Sequence, residues 1–150
     1  MDVPASGTKL VNATLTSSII GAFYEVYNTL GFGFLESVYV AALDRELKSR
    51  GHAVGREIAV RVSYKGTDIA WHRVDILVDN RVIVETKAGE HIAPVAQLQL
   101  HNYLRATGLE VGLLFHFGPK PRFWRVYSPN RSTHADQPDQ SDLTNPKING

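Results

Sequence analysis

Apolar residues in the first third of the chain recur every three or four positions. Ile19, Ile20, Phe23, Val26, Tyr27 and Leu30 make one such stripe, predicting an amphipathic helix over 16–30, with Thr16 or Ser17 as its cap and Gly31 at its end. Gly31-Phe-Gly33 breaks the path, a matter of backbone geometry before the next helix. A second stripe of Leu35, Val38, Tyr39, Ala42, Leu43 and Leu47 then predicts a buried helical face over 35–50, stopped by Gly51. From Glu57 the period falls to two. Ile58, Val60, Val62 and Tyr64 alternate with Ala59, Arg61 and Ser63, the pattern of a strand with one buried face. Lys65-Gly66 reads as a turn, 68–78 as a second strand and Asp79-Asn80 as another turn. The third strand, 81–87, carries Val82, Ile83 and Val84 in a row, which predicts cover on both faces. Pro94 opens a third helix over 94–107 that Gly108 ends. An apolar strand over 111–117 and an edge strand over 122–127 follow. Beyond Ser128 the chain is polar and without periodicity, so disorder is expected there.

The order α-α-β-β-β-α-β-β predicts an α/β chain of the α+β mixed-sheet kind, with helices packed on the sheet. Its 150 residues suit one domain over 16–127, with an N-terminal arm at 1–15 and a polar tail at 128–150. No cysteine is present, which excludes disulfides and thiolate metal sites and fits a cytoplasmic setting. The first residues have neither a basic start nor an apolar run, so no signal peptide is expected, and no stretch approaches a membrane span. Net charge is only +1. Bulk charge is thus too small to hold nucleic acid, and any such binding must come from a local groove.

Against this ordinary background stands Asp75, followed ten residues later by Glu85-Thr86-Lys87. Hydrolysis of a phosphodiester needs an activated water and a stabilised anionic transition state, and a hard divalent cation held by carboxylates supplies both. Mg²⁺ takes one or two carboxylates and fills its shell with water and substrate oxygens. Asp75 and Glu85 on adjacent strands are candidates for that pair, with the carbonyl of Thr86 as a further ligand. Lys87 shares the strand face of Glu85, where its ammonium can orient water or stabilise developing charge. Glu36, near the start of the second helix, can reach the same ion directly or through water.

Strand parity makes a demand on this reading. A two-residue turn at Asp79-Asn80 would pair Val78 with Arg81 and put Asp75 and Glu85 on opposite faces of the sheet. Both reach one ion only if the connection is odd, so a three-residue turn at 79–81 or a bulge within 73–85 is expected.

Spacing alone is weak, because about one acidic-x-Lys match is expected by chance in a chain of this length. Glu46-Leu47-Lys48 is an example, expected to be merely solvated. The competing account of Asp75, Glu85 and Lys87 is a cross-strand charge cluster at a sheet edge. The apolar run Val82-Ile83-Val84 before Glu85 argues for purpose, since charges entering a buried strand are costly.

Taken in order, Gly33-x-x-Glu36-x-x-Tyr39, Asp75, Glu85-x-Lys87 and Gln99-x-x-x-Tyr103 resemble the GxxExxY proteins of the PD-(D/E)XK nuclease superfamily. The resemblance covers roughly residues 16–127 and extends to Pro94-Val95, Asn102-Tyr-Leu104 and Ala106-Thr-Gly-Leu109. It implies a PD-(D/E)XK nuclease-like αβββαβ core with an extra N-terminal helix. Asp75 and Glu85 would be ligands of Mg²⁺ or Mn²⁺, Lys87 the catalytic lysine and Glu36 the assisting helical glutamate. Gln99 and Tyr103, with Tyr39, would organise the site or contact nucleic acid. Val74 replaces the signature's proline before Asp75, a common variation.

The implied partner is nucleic acid, DNA first, with no membrane. The small surface of such a nuclease leaves a homodimer open. Two other readings stay open on the residues alone: a non-catalytic nucleic-acid-binding module using the same cleft, and a regulatory partner whose charges are only a network. Of the six histidines none forms a pair at metal-ligand spacing; His91, just after Lys87, is the one expected nearest the cleft, with a plain loop role the first expectation for it. Arg73, Arg81, Arg105 and Lys120 are candidates for a phosphate-tracking rim. Trp71 and Trp124 are expected to pack rather than stack on bases, and Tyr39 and Tyr103 can equally be core aromatics with satisfied hydroxyls.

Overall fold

The computed structural model describes residues 3–128. Eight elements follow in the predicted order: α1 (Val3–Leu30), α2 (Glu36–Ser49), β1 (Val54–Tyr64), β2 (Thr67–Val78), β3 (Val82–Ala88), α3 (Val95–Thr107), β4 (Val111–Phe117) and β5 (Pro121–Tyr127). The polar tail expected beyond Ser128 lies outside the described residues. The five strands form one mixed sheet in sequential order, antiparallel except for β3–β4, which is parallel and connected through α3. This is the α+β architecture expected of the PD-(D/E)XK nuclease-like core.

Two apolar layers hold the sheet between helices. On one face α1 and α2 bury Ile19, Phe23, Tyr39, Leu43 and Leu47 against Ile76, Val84, Phe115 and Phe117. Phe23 stacks on Phe115 with centroids 4.3 Å apart, and Tyr39 stacks on Phe117 at 4.1 Å. On the other face α3 sets Ala96, Leu100 and Leu104 against Ile83, Leu114 and Trp124. Each fully buried side chain of this size contributes about 1.5–3 kcal/mol. Strand β3 is buried from Val82 through Thr86, so cover on both faces is found as expected.

Helix α1 begins well before the expected residue 16. Leu15 continues its apolar stripe at 6% exposure, and Thr16, instead of capping, is buried and donates its hydroxyl to the carbonyl of Ala13 at 3.1 Å. The buried face of α2 is narrower than its sequence suggests. Leu35 is the N-cap residue in extended conformation, and it and Val38 are exposed, at 75% and 36%, while Tyr39, Val40, Leu43 and Leu47 face the core.

Two features of the β1–β2–β3 meander position the site. Val78 pairs with Val82, so Asp79, Asn80 and Arg81 form a three-residue turn, and Asp79 and Asn80 take left-handed φ angles of 51° and 56°. That is the odd connection parity required. The second feature is a corner. Val54, Ile76 and Val78 face the α1/α2 core, whereas Ile58, Val60 and Val74 face α3, so both strands of the β1–β2 hairpin exchange faces at Glu57 and Asp75. Glu57 sits at the corner with φ 50°, a conformation uncommon for a residue with a Cβ. The β2–β3 ladder ends at the same point, with Ile76↔Val84 its last pair, and the hairpin continues over α3 as a free-standing arm.

Candidate active site

Where β2 and β3 part, side chains replace the ladder. The amide of Asp75 donates to Glu85 Oε1 at 2.9 Å, and the amide of Thr86 donates to Asp75 Oδ2 at 2.8 Å. These crossed bonds satisfy two backbone groups that the parting strands leave open, and they fix both carboxylates side by side. Glu85 is only 8% exposed and Thr86, between the two acids in this arrangement, is fully buried.

Such a pair is electrostatically uncomfortable. Burial first, and the charge of Asp75 second, raise the Glu85 carboxyl to about 7. Burial also raises Asp75, against the pull of the Thr86 amide and Lys87. Glu36, the first residue of α2, is raised by burial and then by Asp75, while Lys87 and the Ala88 amide work against that rise. The Lys87 ammonium is thus felt at all three carboxylates, as parity with Glu85 required. The Lys87 ammonium, joined at Asp75 by the charge of Arg56, is outnumbered by the three carboxylates, which leaves the cluster short of positive charge.

That shortfall, and the donor types, fit a hard divalent cation. Asp75 Oδ2 and Glu85 Oε1 are committed to backbone amides, which leaves each acid its other oxygen for an ion. Among the described residues no three His, Cys, Asp or Glu side chains form a metal-binding group of their own. Two carboxylates with room for water and phosphate oxygens are what Mg²⁺ or Mn²⁺ requires, whereas a closed zinc site needs a fuller protein shell.

The remaining predicted residues divide into two groups. Tyr103 is brought to the site: its ring stacks on His72 at 4.2 Å, and its hydroxyl is raised by burial and by the charge of Glu85. Gln99 lies exposed one turn earlier on α3, in the groove that Tyr103 also lines. Tyr39 acts from the core. Its hydroxyl donates to the carbonyl of Gly31 at 2.5 Å and accepts from the amide of Phe34 at 3.1 Å. This ties down the loop before α2, in which Gly33 adopts φ 117°, a value closed to most residues. The Gly33-x-x-Glu36-x-x-Tyr39 motif is therefore a device that delivers Glu36 to the sheet. The chance match at Glu46 and Lys48 lies on α2 away from the cluster, and instead of being merely solvated the two form ion pairs with Arg50 and Asp44 at 2.9 and 3.1 Å.

His72 was not singled out by the sequence and belongs here. Its Nε2 lies 3.8 Å from Glu85 Oε2, and burial, followed by the charge of Lys87, lowers its pKa. His91 keeps the plain loop role expected of it first, 90% exposed and 3.3 Å from Glu90. Trp124 packs as expected at 1% exposure, but Trp71 is 64% exposed on the outer face of the arm. The four-residue rim is not gathered in one place, since Arg81 lies in the β2–β3 turn, Arg73 beside Glu57 and Arg105 on α3.

A family model of the PD-(D/E)XK nuclease superfamily matches residues 13–126. The chain belongs to that superfamily, which points to a nuclease-type function. Among solved structures it is similar to the crystal structure of SSO0001, with a TM-score of 0.51 and 17% identity over 63% of this chain and 50% of that one. That likeness concerns the fold, and this chain spans half the length of that protein. No curated protein matches it.

Proposed function

We propose that this chain is a Mg²⁺- or Mn²⁺-dependent nuclease that cleaves DNA, of the GxxExxY branch of its superfamily. The observation that carries the reading is the crossed pair of hydrogen bonds by which Asp75 and Glu85 face one another beside Lys87. Three carboxylates would repel a phosphodiester unless a cation stood between them, which argues against a binding module without metal. Asp75 and Glu85 would hold the ion, with the Thr86 carbonyl as a further ligand and Glu36 assisting directly or through water. When bound, the ion would lower the pKa of water and neutralise phosphoryl charge. Lys87 would hold the attacking water and stabilise the charge that develops on the phosphoryl oxygens. Tyr103 and His72 would keep Glu85 in place, and Tyr39 would keep Glu36. A cytoplasmic setting fits the cysteine-free composition.

The test is cleavage of end-labelled single-stranded, duplex and branched DNA, and of RNA, in Mg²⁺ or Mn²⁺. Lys87→Ala should lower the rate by roughly 10²–10³, the scale of losing one group aimed at developing charge. A wild type that cuts none of these, or a variant that cuts as fast, would overturn the reading.

A further inference from the structure

The segment that leads into α2 carries apolar side chains that the core does not take. Phe32 and Phe34 are 45% and 48% exposed, and Leu35 and Val38 beside them are exposed as well. Scattered apolar residues on a surface need no account, but four within seven positions mark a contact surface. Their loop is held in place. The Tyr39 hydroxyl bridges the Gly31 carbonyl and the Phe34 amide, and the Phe34 ring stands edge-on to Tyr39 with centroids 6.1 Å apart. The loop ends at Leu35, and the next residue is Glu36 of the candidate metal centre. An open cavity of about 270 Å³ adjoins it, lined by Glu36 and Asp75 and, from the β1–β2 hairpin, by Arg56 and Arg73. Asp44 holds one guanidinium nitrogen of Arg56 at 2.9 Å. Arg73 pairs with Glu57 at 3.3 Å, and both are largely exposed, so a phosphate can displace that bond.

We propose that Phe32 and Phe34 form a stacking rim at the mouth of the metal centre, which takes unpaired bases next to the scissile phosphate while Arg56 and Arg73 meet the phosphates. The inference rests on the nuclease reading and adds to it the kind of substrate. Whatever covers this loop sits beside Glu36 and the cavity that opens on Asp75, so a permanent protein partner there would bar the substrate. Apolar rings on the α2 side and guanidiniums on the hairpin side match the two halves of a nucleotide strand, its bases and its phosphates. A paired duplex keeps its base faces inside and would meet the rings with sugars and phosphates. Two rings fixed by the Tyr39 lock also lose little freedom on binding, which favours stacking over a loose hydrophobic contact.

The experiment is fluorescence anisotropy in Ca²⁺, over a range of salt, with a labelled single strand of DNA, the same strand made abasic, and the duplex of that sequence. It compares wild type, Phe32→Ala/Phe34→Ala, Phe32→Leu/Phe34→Leu and, as an exposed aromatic at the far end of β1, Tyr64→Ala. Circular dichroism checks the folding of each, calorimetry its Mn²⁺ binding and sedimentation its mass. Wild type should bind the single strand more tightly than the duplex or the abasic strand. Both loop variants should bind the single strand at least roughly tenfold more weakly, the lower part of the range for two lost stacking contacts. The abasic strand should bind all four proteins alike, and salt slopes should not change, because the phosphate contacts remain. Tyr64→Ala should match wild type. The leucine pair keeps apolar bulk against Tyr39, so it decides the matter if the alanine pair fails to fold. No strand bound by wild type, duplex or abasic strand bound as tightly as the intact single strand, or a folded loop variant that matches wild type would overturn the rim. An equal loss in Tyr64→Ala, or a wild-type dimer that the loop variants dissociate, would overturn it too. If Mn²⁺ binds throughout while the loop variants match wild type, the rim falls and the nuclease reading stands. If no protein binds Mn²⁺ yet the loop variants lose the preference for an intact strand over an abasic one, the rim stands and the nuclease reading falls.

Discussion

Asp75 and Asp79 lie four residues apart on one strand and its turn, and they do opposite things. Asp79 is fully engaged: Oδ1 accepts from the amide of Ala53 at 2.8 Å and Oδ2 meets His52 Nδ1 at 2.8 Å. Burial pushes its pKa upward, but the Ala53 amide and His52 outweigh that and hold it below the usual value. Asp75 has one backbone partner, lies against Glu85, and is raised by burial. Two carboxylates of the same type are thus told apart by their surroundings: one closes a turn among partners that hold it charged, the other is raised by burial against the pull of the Thr86 amide, Lys87, His72 and Arg56. Asp79 even completes a Ser18–His52–Asp79 chain, with Ser18 Oγ 2.8 Å from His52 Nε2. Ser18 is inside α1, where neighbouring amides are already bonded and cannot cradle an oxyanion, so this chain is a lock between α1 and the turn.

The contrast has a pH signature, and its sign follows from the shifts. Glu85 folds with a carboxyl raised from 4.5 to about 7, so the folded state binds more protons in that window and stability falls as pH rises through it. The penalty, about 3 kcal/mol when complete above pH 7, should be visible in chelator as weaker denaturant resistance at pH 8 than at pH 5. Glu85→Gln keeps an oxygen for the Asp75 amide and removes the charge, so it should abolish most of that slope and stabilise the metal-free protein at pH 8. Parallel curves for variant and wild type would show that Glu85 is not the strained group. Asp79 works in the other direction. Its depressed pKa contributes stability above the unfolded value, which is lost as pH falls through the folded one. Asp79→Ala should cost about 2 kcal/mol, because a charged acceptor of two bonds is removed. Cleavage per folded molecule should be unchanged, and a matching fall in activity would erase the distinction between the two aspartates.

Much of the fold was legible because its periods are clean. The 3.6-residue stripes of α1 and α2, the alternation in β1 and the unbroken apolar run in β3 each have one structural solution. The start of α1 was not legible, since Thr16 is as good a cap as it is a buried back-bonding residue. For the site, parity alone required either a three-residue turn at 79–81 or a bulge within 73–85 if Asp75 and Glu85 were to share a face, and the three-residue turn is present. His72 escaped notice because on a straight strand it and Asp75 point to opposite faces. Only the corner at Glu57 and Asp75 brings them together, and Glu57 carries no glycine or asparagine to announce a left-handed residue. The same corner turns Trp71 outward, beside Arg61, whose guanidinium lies 5.9 Å from its ring.

The most direct measurement is a Mn²⁺ titration by calorimetry on wild type, Asp75→Asn and Asp79→Asn, with folding of each checked by circular dichroism. Asparagine suits the left-handed backbone at 79, so that variant is a fair control. Saturable binding by wild type and Asp79→Asn, abolished in Asp75→Asn, is the expected result. Equal binding by folded Asp75→Asn, or none by folded wild type, would contradict a metal centre at the point where β2 and β3 part.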